Sequence, residues 1–167
     1  MLLTPNPANV CFGCGGANAR GMQLTFEQDD EAKKIRGVVR MGPEYQGGIG
    51  FIHGGIIATL LDEVMGKANR FRGVRAVTAE LSVEYLRPVP VDEDLIVEGW
   101  ELEKKGRNLY HTGEIRDASG VLLARGRGRF VEIDAERYYR TAPPEVPAQD
   151  APGESPERKP EGKTDRK

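Results

Sequence analysis

One segment of this chain has apolar residues at helical spacing, and the segments on either side of it alternate with the period of a β-strand. The apolar positions recur at intervals of three and four, which is the spacing of one helix face. They are Ile56, Ile57, Leu60, Leu61, Val64, Met65 and Ala68. A single long helix among strands restricts the possible folds, because the apolar face of each element must be buried against another element.

Period-two alternation predicts about six strands, two before the helix and four after it. They lie at residues 24–27, 33–41, 77–85, 94–103, 107–117 and 121–133. Short polar segments containing Gly106 and Gly120 separate the last three strands and predict hairpin turns. We therefore predict an α+β fold in which a curved, mostly antiparallel sheet wraps around one long central helix.

Composition divides the chain into one domain and a tail. Residues 141–167 contain six prolines and mixed charge, with no aromatic residue, Leu, Ile or Met. Such a segment cannot bury enough apolar surface to offset its ordering entropy, so we expect a disordered tail. Residues 1–140 are then the folded domain, whose size is ordinary for a single core.

The charge balance and the hydropathy argue against two kinds of partner. The chain has 24 Lys and Arg against 26 Asp and Glu, so it has no strong positive field to favour nucleic acid. No run approaches the roughly 20 apolar residues that cross a bilayer, and the start has no signal-peptide pattern. These features predict a soluble, cytoplasmic protein with no membrane span.

The side of the helix opposite its apolar centre carries small residues and one carboxylate. Gly55, Thr59, Asp62, Gly66 and Asn69 follow one another there at helical spacing. An ordinary solvated face would carry long charged side chains, whereas small residues allow a ligand or a partner subunit to approach. Asp62 is therefore either a catalytic carboxylate or a hydrogen-bonded polar group in a subunit interface, and we favour the catalytic interpretation.

Two glycines follow a histidine at the start of the helix. Gly54 and Gly55 let a substrate approach first-turn N–H groups, which have no acceptor within the helix and could bind a developing oxyanion. His53 could act as a general base or a metal ligand, but its position just outside the helix favours a hydrogen bond that fixes the loop. Asp62 lies about 12 Å farther along the axis, whereas Glu63 points about 100° away from it around the helix.

The segment from His53 to Glu63 resembles the signature helix of the PaaI-type hotdog-fold acyl-CoA thioesterases. The resemblance extends over about residues 10–133 and includes Cys-Phe-Gly-Cys-Gly at residues 11–15. It implies a hotdog fold, hydrolysis of an acyl- or aryl-CoA thioester to free acid and CoA, and a role in fatty acid metabolism. In similar proteins the glycine matching Gly54 gives its N–H to the thioester carbonyl. The acid matching Asp62 activates water or attacks directly.

The resemblance also implies binding residues and self-association. The CoA-binding positions of relatives map to Glu84, Leu86, Lys105, Arg107 and Asn108. An arginine can hold a CoA phosphate by two hydrogen bonds, although an exposed hairpin arginine is nearly as good an explanation of Arg107. The chain is expected to form a homodimer or a tetramer with its acyl-CoA site between subunits.

Several relatives carry Ser or Thr one turn beyond the acid, where this chain has Gly66. Water would then be positioned by another group, such as Thr59 or a residue of a second subunit. The departure keeps open an alternative function, that of a hotdog protein that binds acyl-CoA without hydrolysing it.

Two other patterns receive no catalytic role. Cys11 and Cys14 have the spacing of a zinc knuckle. A structural zinc site needs four ligands, and the only further nitrogen ligands that the chain offers are His53 and His111, which are distant in sequence. We therefore predict no metal and no cofactor, and interpret both thiols as reduced packing residues near the site. Three cations that alternate with glycines either help to hold CoA phosphates or form a solvated sheet face, and we favour the sheet face. They are Arg125, Arg127 and Arg129.

Overall fold

The structure is a computed structural model that describes residues 1–140, and the predicted tail at residues 141–167 lies outside the described residues. The described residues form seven strands and two α-helices. In chain order these are β1 (Leu2–Leu3), β2 (Phe26–Asp29), β3 (Lys34–Arg40), α1 (Gly54–Lys67), β4 (Ala76–Tyr85), β5 (Asp94–Lys105), β6 (Asn108–Asp117), β7 (Leu122–Glu132) and α2 (Ala135–Arg140). Two short 3-10 turns, Pro43–Tyr45 and Ala68–Arg72, lie before and after α1.

All seven strands belong to one antiparallel sheet with the order β1-β2-β3-β5-β6-β7-β4. The sheet is open, and β4 forms one edge although it follows the helix directly in sequence. Gly106 and Gly120 occupy the hairpin turns with φ of 58° and 90°, the left-handed conformation that glycine adopts without a steric cost. The two predicted hairpins are therefore present.

Helix α1 packs on the middle of the sheet through its apolar face. Its buried residues are Ile57, Leu60, Leu61, Val64 and Met65. A Cβ on Gly99 of β5 would lie 2.8 Å from the carbonyl oxygen of Val64, so the helix backbone rests directly on this strand. On β7, a Cβ on Gly126 would lie 3.2 Å from Leu61 and from Met65. Glycines in the sheet thus make room for the large side chains of the helix.

The predicted fold is confirmed, with one long helix against an antiparallel sheet. Each of the six predicted strands overlaps a strand of the structure, and their ends differ by one or two residues in most cases. The seventh strand, β1, pairs only Leu2 and Leu3 with β2 and is too short to show an alternating pattern. Neither helix in the described part of the chain is both long and apolar enough to cross a membrane.

Candidate active site

The first turn of α1 is fixed by the histidine that precedes it. His53 is the N-cap residue, and its Nδ1 accepts a hydrogen bond of 2.9 Å from the Gly55 N–H. The His53 carbonyl oxygen accepts from the N–H groups of Ile56 and Ile57. Within residues 1–140 the Gly54 N–H has no acceptor. Of the two glycine donors expected from the sequence, Gly55 is therefore engaged and Gly54 is available.

The side chain of Tyr85, the last residue of β4, lies against the helix start. Its hydroxyl donates to the Gly54 carbonyl oxygen at 3.0 Å, and its ring lies 3.5 Å from the position of a Cβ on Gly54. Even a Cβ at position 54 would thus be in van der Waals contact with the ring, so Tyr85 closes one side of the helix start.

Asp62 lies half-buried two turns farther along the helix. The hydroxyl of Thr78 on β4 donates to its Oδ1 at 2.8 Å. Burial raises the pKa of Asp62, the hydrogen bond from Thr78 acts in the opposite direction, and the nearby charge of Glu63 raises the pKa further. The carboxylate is therefore partly withdrawn from water and oriented by a hydroxyl, as a group that handles a proton would be.

A β-bulge in β4 brings Thr78 to the helix-facing side of the sheet. Residues 78 and 80 pair with the consecutive residues 130 and 129 of β7, so Ala79 is an extra residue in the strand. Strict alternation through the predicted strand put Thr78 on the face opposite Leu81, whereas the bulge puts both on the same face. Thr78 could not be predicted as a site residue from the sequence, because a bulge leaves no mark in an alternating pattern.

The predicted stripe of small residues is only partly open. Thr59 donates its hydroxyl to the Gly55 carbonyl oxygen at 2.9 Å, so this hydroxyl is bonded within the helix. A Cβ on Gly66 would lie 3.7 Å from the Phe130 ring. Asn69 is buried in the 3-10 turn and donates to the Gly66 carbonyl oxygen at 3.0 Å. The far end of the stripe packs inside the chain, whereas the part from Gly55 to Asp62 remains accessible.

The residues mapped to CoA binding lie at two ends of the sheet. Glu84 pairs with Arg125 of β7, and Asn108 pairs with Val131 of the same strand. Six residues of an extended strand span about 20 Å. Within one chain, Glu84 and its neighbour Leu86 are therefore far from the hairpin that carries Asn108.

The hairpin residues have partners within the chain. Lys105 is paired with Glu103 at 2.8 Å, and Asn108 accepts from Arg129 at 3.2 Å. The Arg107 guanidinium donates two hydrogen bonds, of 2.8 and 3.1 Å, to the carbonyl oxygen of Glu132. Arg107 also lines a groove with residues 132–134, 137 and 138. Its remaining N–H groups can face a ligand in that groove.

Two of the three alternating arginines are paired on the outer face of the sheet. Arg125 lies 3.2 Å from Glu114, and Arg129 lies 3.3 Å from Glu80. These pairs are what a charged, solvated sheet face would show.

The two cysteines are free thiols and lie on the other side of the helix from Thr78. Cys11 donates to Oε1 of Glu63 at 3.3 Å, and the Lys67 ammonium lies 2.9 Å from Sγ of Cys14. Burial is the largest cause that raises the pKa of Cys14, to about 11. Glu63 thus faces the N-terminal segment while Asp62 faces β4, in keeping with their angular separation around the helix.

A single long helix laid across an open antiparallel sheet, with an edge strand directly after the helix, is the architecture of a hotdog domain. Residues 49–124, which contain all of α1 and extend into β7, match the family model for the thioesterase superfamily. These residues therefore form a hotdog-fold domain of the thioesterase superfamily.

Several known proteins are similar to this chain. Acyl-coenzyme A thioesterase THEM4 of Bos taurus is 26% identical over 127 residues, which are 75% of this chain and 52% of the relative. Acyl-coenzyme A thioesterase 13 of Homo sapiens is 31% identical over 93 residues, 53% of this chain and 66% of the relative. A solved structure of a thioesterase superfamily protein is 38% identical, with a TM-score of 0.66 over 70% of this chain and 57% of that chain. The chain spans about half the length of the THEM4 relatives it matches.

Proposed function

We propose that this chain hydrolyses acyl- or aryl-CoA thioesters to the free acid and CoA. The proposal rests on one observation: helix α1 presents both an available N–H at Gly54 and a half-buried carboxylate at Asp62 to strand β4. Tyr85 of β4 contacts Gly54, and Thr78 of β4 contacts Asp62. The similarity to proteins named acyl-coenzyme A thioesterases supports the choice of substrate class.

The thioester carbonyl oxygen accepts a hydrogen bond from the Gly54 N–H, at the positive end of the helix dipole. The Asp62 carboxylate removes a proton from a water molecule as that water attacks the carbonyl carbon. Negative charge that develops on the carbonyl oxygen is stabilised by the same N–H donor. The tetrahedral intermediate then expels the CoA thiolate, which receives the proton held by Asp62. Direct attack by the carboxylate is the second route, through a mixed anhydride that water cleaves.

Thr78 has a positioning role in either route. Its hydroxyl donates to one carboxylate oxygen of Asp62 at 2.8 Å and leaves the other oxygen for water or for the carbonyl carbon. Thr78 therefore provides the hydroxyl next to the carboxylate that several relatives have one turn beyond the acid, where this chain has Gly66. Its contact favours hydrolysis over the non-catalytic function that the absence of a hydroxyl at position 66 had kept open.

We further propose that the site is completed by self-association into a dimer or a tetramer. Gly54 and Asp62 of one chain lie about 12 Å apart along the helix, which is long for two groups acting on one carbonyl. Within residues 1–140 the outer edge of β4 is unpaired and lies beside both of them, and a second copy placed there would bring its own Asp62 towards Gly54. Such an arrangement would also bring Glu84 and Leu86 of one copy nearer to the Lys105–Asn108 hairpin of the other.

Thiol release from a panel of short, medium, long and aryl acyl-CoA esters tests the proposed reaction. Asp62→Asn should lower kcat about 100-fold or more, because the amide cannot accept the proton from water. Asp92→Asn is the matched control, since Asp92 is an exposed aspartate in a left-handed conformation that asparagine also adopts. Equal rates for Asp62→Asn and the wild type would overturn the assignment of Asp62.

A non-catalytic acyl-CoA-binding protein is the second candidate, motivated by Gly66, which has no hydroxyl, and by the common reuse of one fold for different functions. It predicts that acyl-CoA binds to the wild type and to Asp62→Asn with similar affinity and that neither releases thiol. Equilibrium binding measured beside the rate assay separates the two functions.

A further inference from the structure

A cluster of metal-ligating side chains lies outside the proposed thioesterase site. The Sγ atoms of Cys11 and Cys14 and a carboxylate oxygen of Glu63 all lie within 4.8 Å of one another. Cys14 is buried, and Cys11 and Glu63 are half-buried. The sequence predicts no metal here because the chain offers only His53 and His111 as further nitrogen ligands, but the fold brings a carboxylate from α1 to the two thiols.

We propose that Cys11, Cys14 and Glu63 bind one thiolate-preferring divalent cation, of which Zn²⁺ is the best fit. Tetrahedral zinc with bonds of about 2.3 Å to sulfur and about 2.0 Å to oxygen separates two sulfurs by about 3.8 Å, and a sulfur from an oxygen by about 3.5 Å. The Cys11 Sγ lies 3.3 Å from Oε1 of Glu63, close to the second value. All three ligand atoms lie within 4.8 Å of one another, so each needs to move by little more than about 1 Å to reach these separations.

The backbone around the two cysteines is shaped to bring these ligands together. A Cβ on Gly13 would collide with the carboxylate of Glu63, so the missing side chain lets that carboxylate lie beneath the turn. A Cβ on Gly15 would collide with the backbone of Cys11, to whose carbonyl oxygen Gly15 donates at 3.0 Å. This turn holds the two sulfurs on the side that faces α1.

The charges of the cluster balance when a divalent cation is bound. Two thiolates and one carboxylate carry three negative charges, and the cation with the ammonium of Lys67 carries three positive charges. The Lys67 Nζ lies 2.9 Å from Sγ of Cys14 and 4.0 Å from Oε2 of Glu63. An N–H donor to a metal-bound thiolate is a common outer partner in zinc sites and stabilises the negative sulfur.

Metal binding would change the protonation of the cluster. Thiol ligands must lose their protons to bind a metal, so binding releases protons and the affinity falls at low pH.

The consequence of this site is structural. Cys11 and Cys14 belong to the segment between β1 and β2, and Glu63 follows Asp62 on α1. A bound ion would tie that segment to the helix immediately beside the proposed catalytic carboxylate. Three protein ligands leave a fourth position, which water can fill.

The test uses the full chain, reduced and stripped of metal with a chelator, and Co²⁺ as a spectroscopic probe. One equivalent of Co²⁺ should give thiolate-to-cobalt charge-transfer absorption and the intense visible bands of tetrahedral cobalt. Zn²⁺ should remove these bands, because it binds such ligands more tightly than Co²⁺. Zn²⁺ should also protect both thiols from a thiol-specific reagent. A wild type with no charge-transfer band and unprotected thiols would overturn the proposal without any variant.

Variants assign the ligands. Cys11→Ser and Cys14→Ser should each lose most of the charge-transfer absorption. Glu63→Gln should keep thiolate absorption but weaken binding about tenfold or more, since even outer partners of a metal contribute that much. Asp62→Asn is the matched control, because it removes the adjacent carboxylate that faces β4, and it should bind Co²⁺ like the wild type. Unchanged absorption in the cysteine variants would contradict the assignment. These readouts are independent of thioester hydrolysis, so failure of either proposal leaves the other intact.

Discussion

At the residue scale, the contact between Thr78 and Asp62 joins the edge strand to the proposed catalytic carboxylate. The hydroxyl orients one oxygen, and it also compensates in part for the burial that disfavours the charged form. A hydrogen bond to a charged group contributes roughly 1.5–3 kcal/mol. Loss of this contact should therefore have a measurable effect on the rate even though Thr78 need not touch the substrate.

Thr78→Val removes the hydroxyl while it keeps the β-branched shape of the side chain. We expect kcat for acyl-CoA hydrolysis to fall about tenfold or more, because the lost contact is to a charged group. Thr78→Ser should restore most of the rate, since serine keeps the hydroxyl. Ser82→Ala is the matched control, because Ser82 is an exposed hydroxyl on the same strand. If Thr78→Val retains the wild-type kcat, the hydroxyl has no positioning role.

At the element scale, the position of α1 on the sheet depends on one glycine in β5. A Cβ on Gly99 would lie 2.8 Å from the Val64 carbonyl oxygen and 3.1 Å from the Met65 backbone nitrogen. These are main-chain atoms in the last turn of α1, so they cannot rotate away as the end of a side chain can. A methyl group at this position must move the helix off the strand.

Gly99→Ala should therefore lower the free energy of unfolding by roughly 1–3 kcal/mol, the usual range for overpacking a core. Gly48→Ala is the control, since no atom lies within 4 Å of the position that its Cβ would occupy. Urea denaturation followed by circular dichroism measures both variants against the wild type. A Gly99→Ala variant as stable as the control would mean that the helix moves without a cost.

Features that lie within one element could be predicted from the sequence, and contacts between elements could not. Helix spacing located α1, Asp62 and the glycines at the helix start, because each depends on the period of one element. The Thr78 contact depends on a bulge at Ala79, which shifts the face of a strand without changing its composition. Glu63 contacts the two cysteines although they lie about 50 residues earlier in the chain. Spacing along the sequence does not predict that two such distant segments come together.

At the scale of the whole molecule, a buried histidine connects the sheet to the end of the helix. His111 of β6 is fully buried, and its Nδ1 lies 2.7 Å from the Met65 carbonyl oxygen, to which we assign it as the donor. Its ring stacks on Phe130 at 5.0 Å between centroids. Its Nε2 has no hydrogen-bond partner within residues 1–140 and lies 3.9 Å from Glu101, which is itself paired with Arg72.

These surroundings make the stability of the fold depend on pH. Burial lowers the pKa of His111 below its usual value of 6.5, and this effect exceeds the opposing ones of the Met65 carbonyl and Glu101. Between the lowered pKa and about 6.5, the unfolded chain binds a proton that the folded chain does not bind. The contribution of neutral His111 to stability is thus present above about 6.5 and is lost as the pH falls through the folded pKa.

The expected result is a free energy of unfolding that decreases on acidification below about pH 6.5, with a slope from this group of at most about 1.4 kcal/mol per pH unit. His111→Asn keeps an N–H donor for the Met65 carbonyl oxygen but does not titrate, so its slope should be smaller than that of the wild type by this amount. Urea unfolding at several pH values measures the slope of each protein. An NMR titration of the folded wild type gives an independent check, because the His111 ring should remain neutral below pH 6.5. Protonation of that ring at or above pH 6.5 would show that Glu101 outweighs burial, and the stability of the fold would then rise rather than fall on mild acidification.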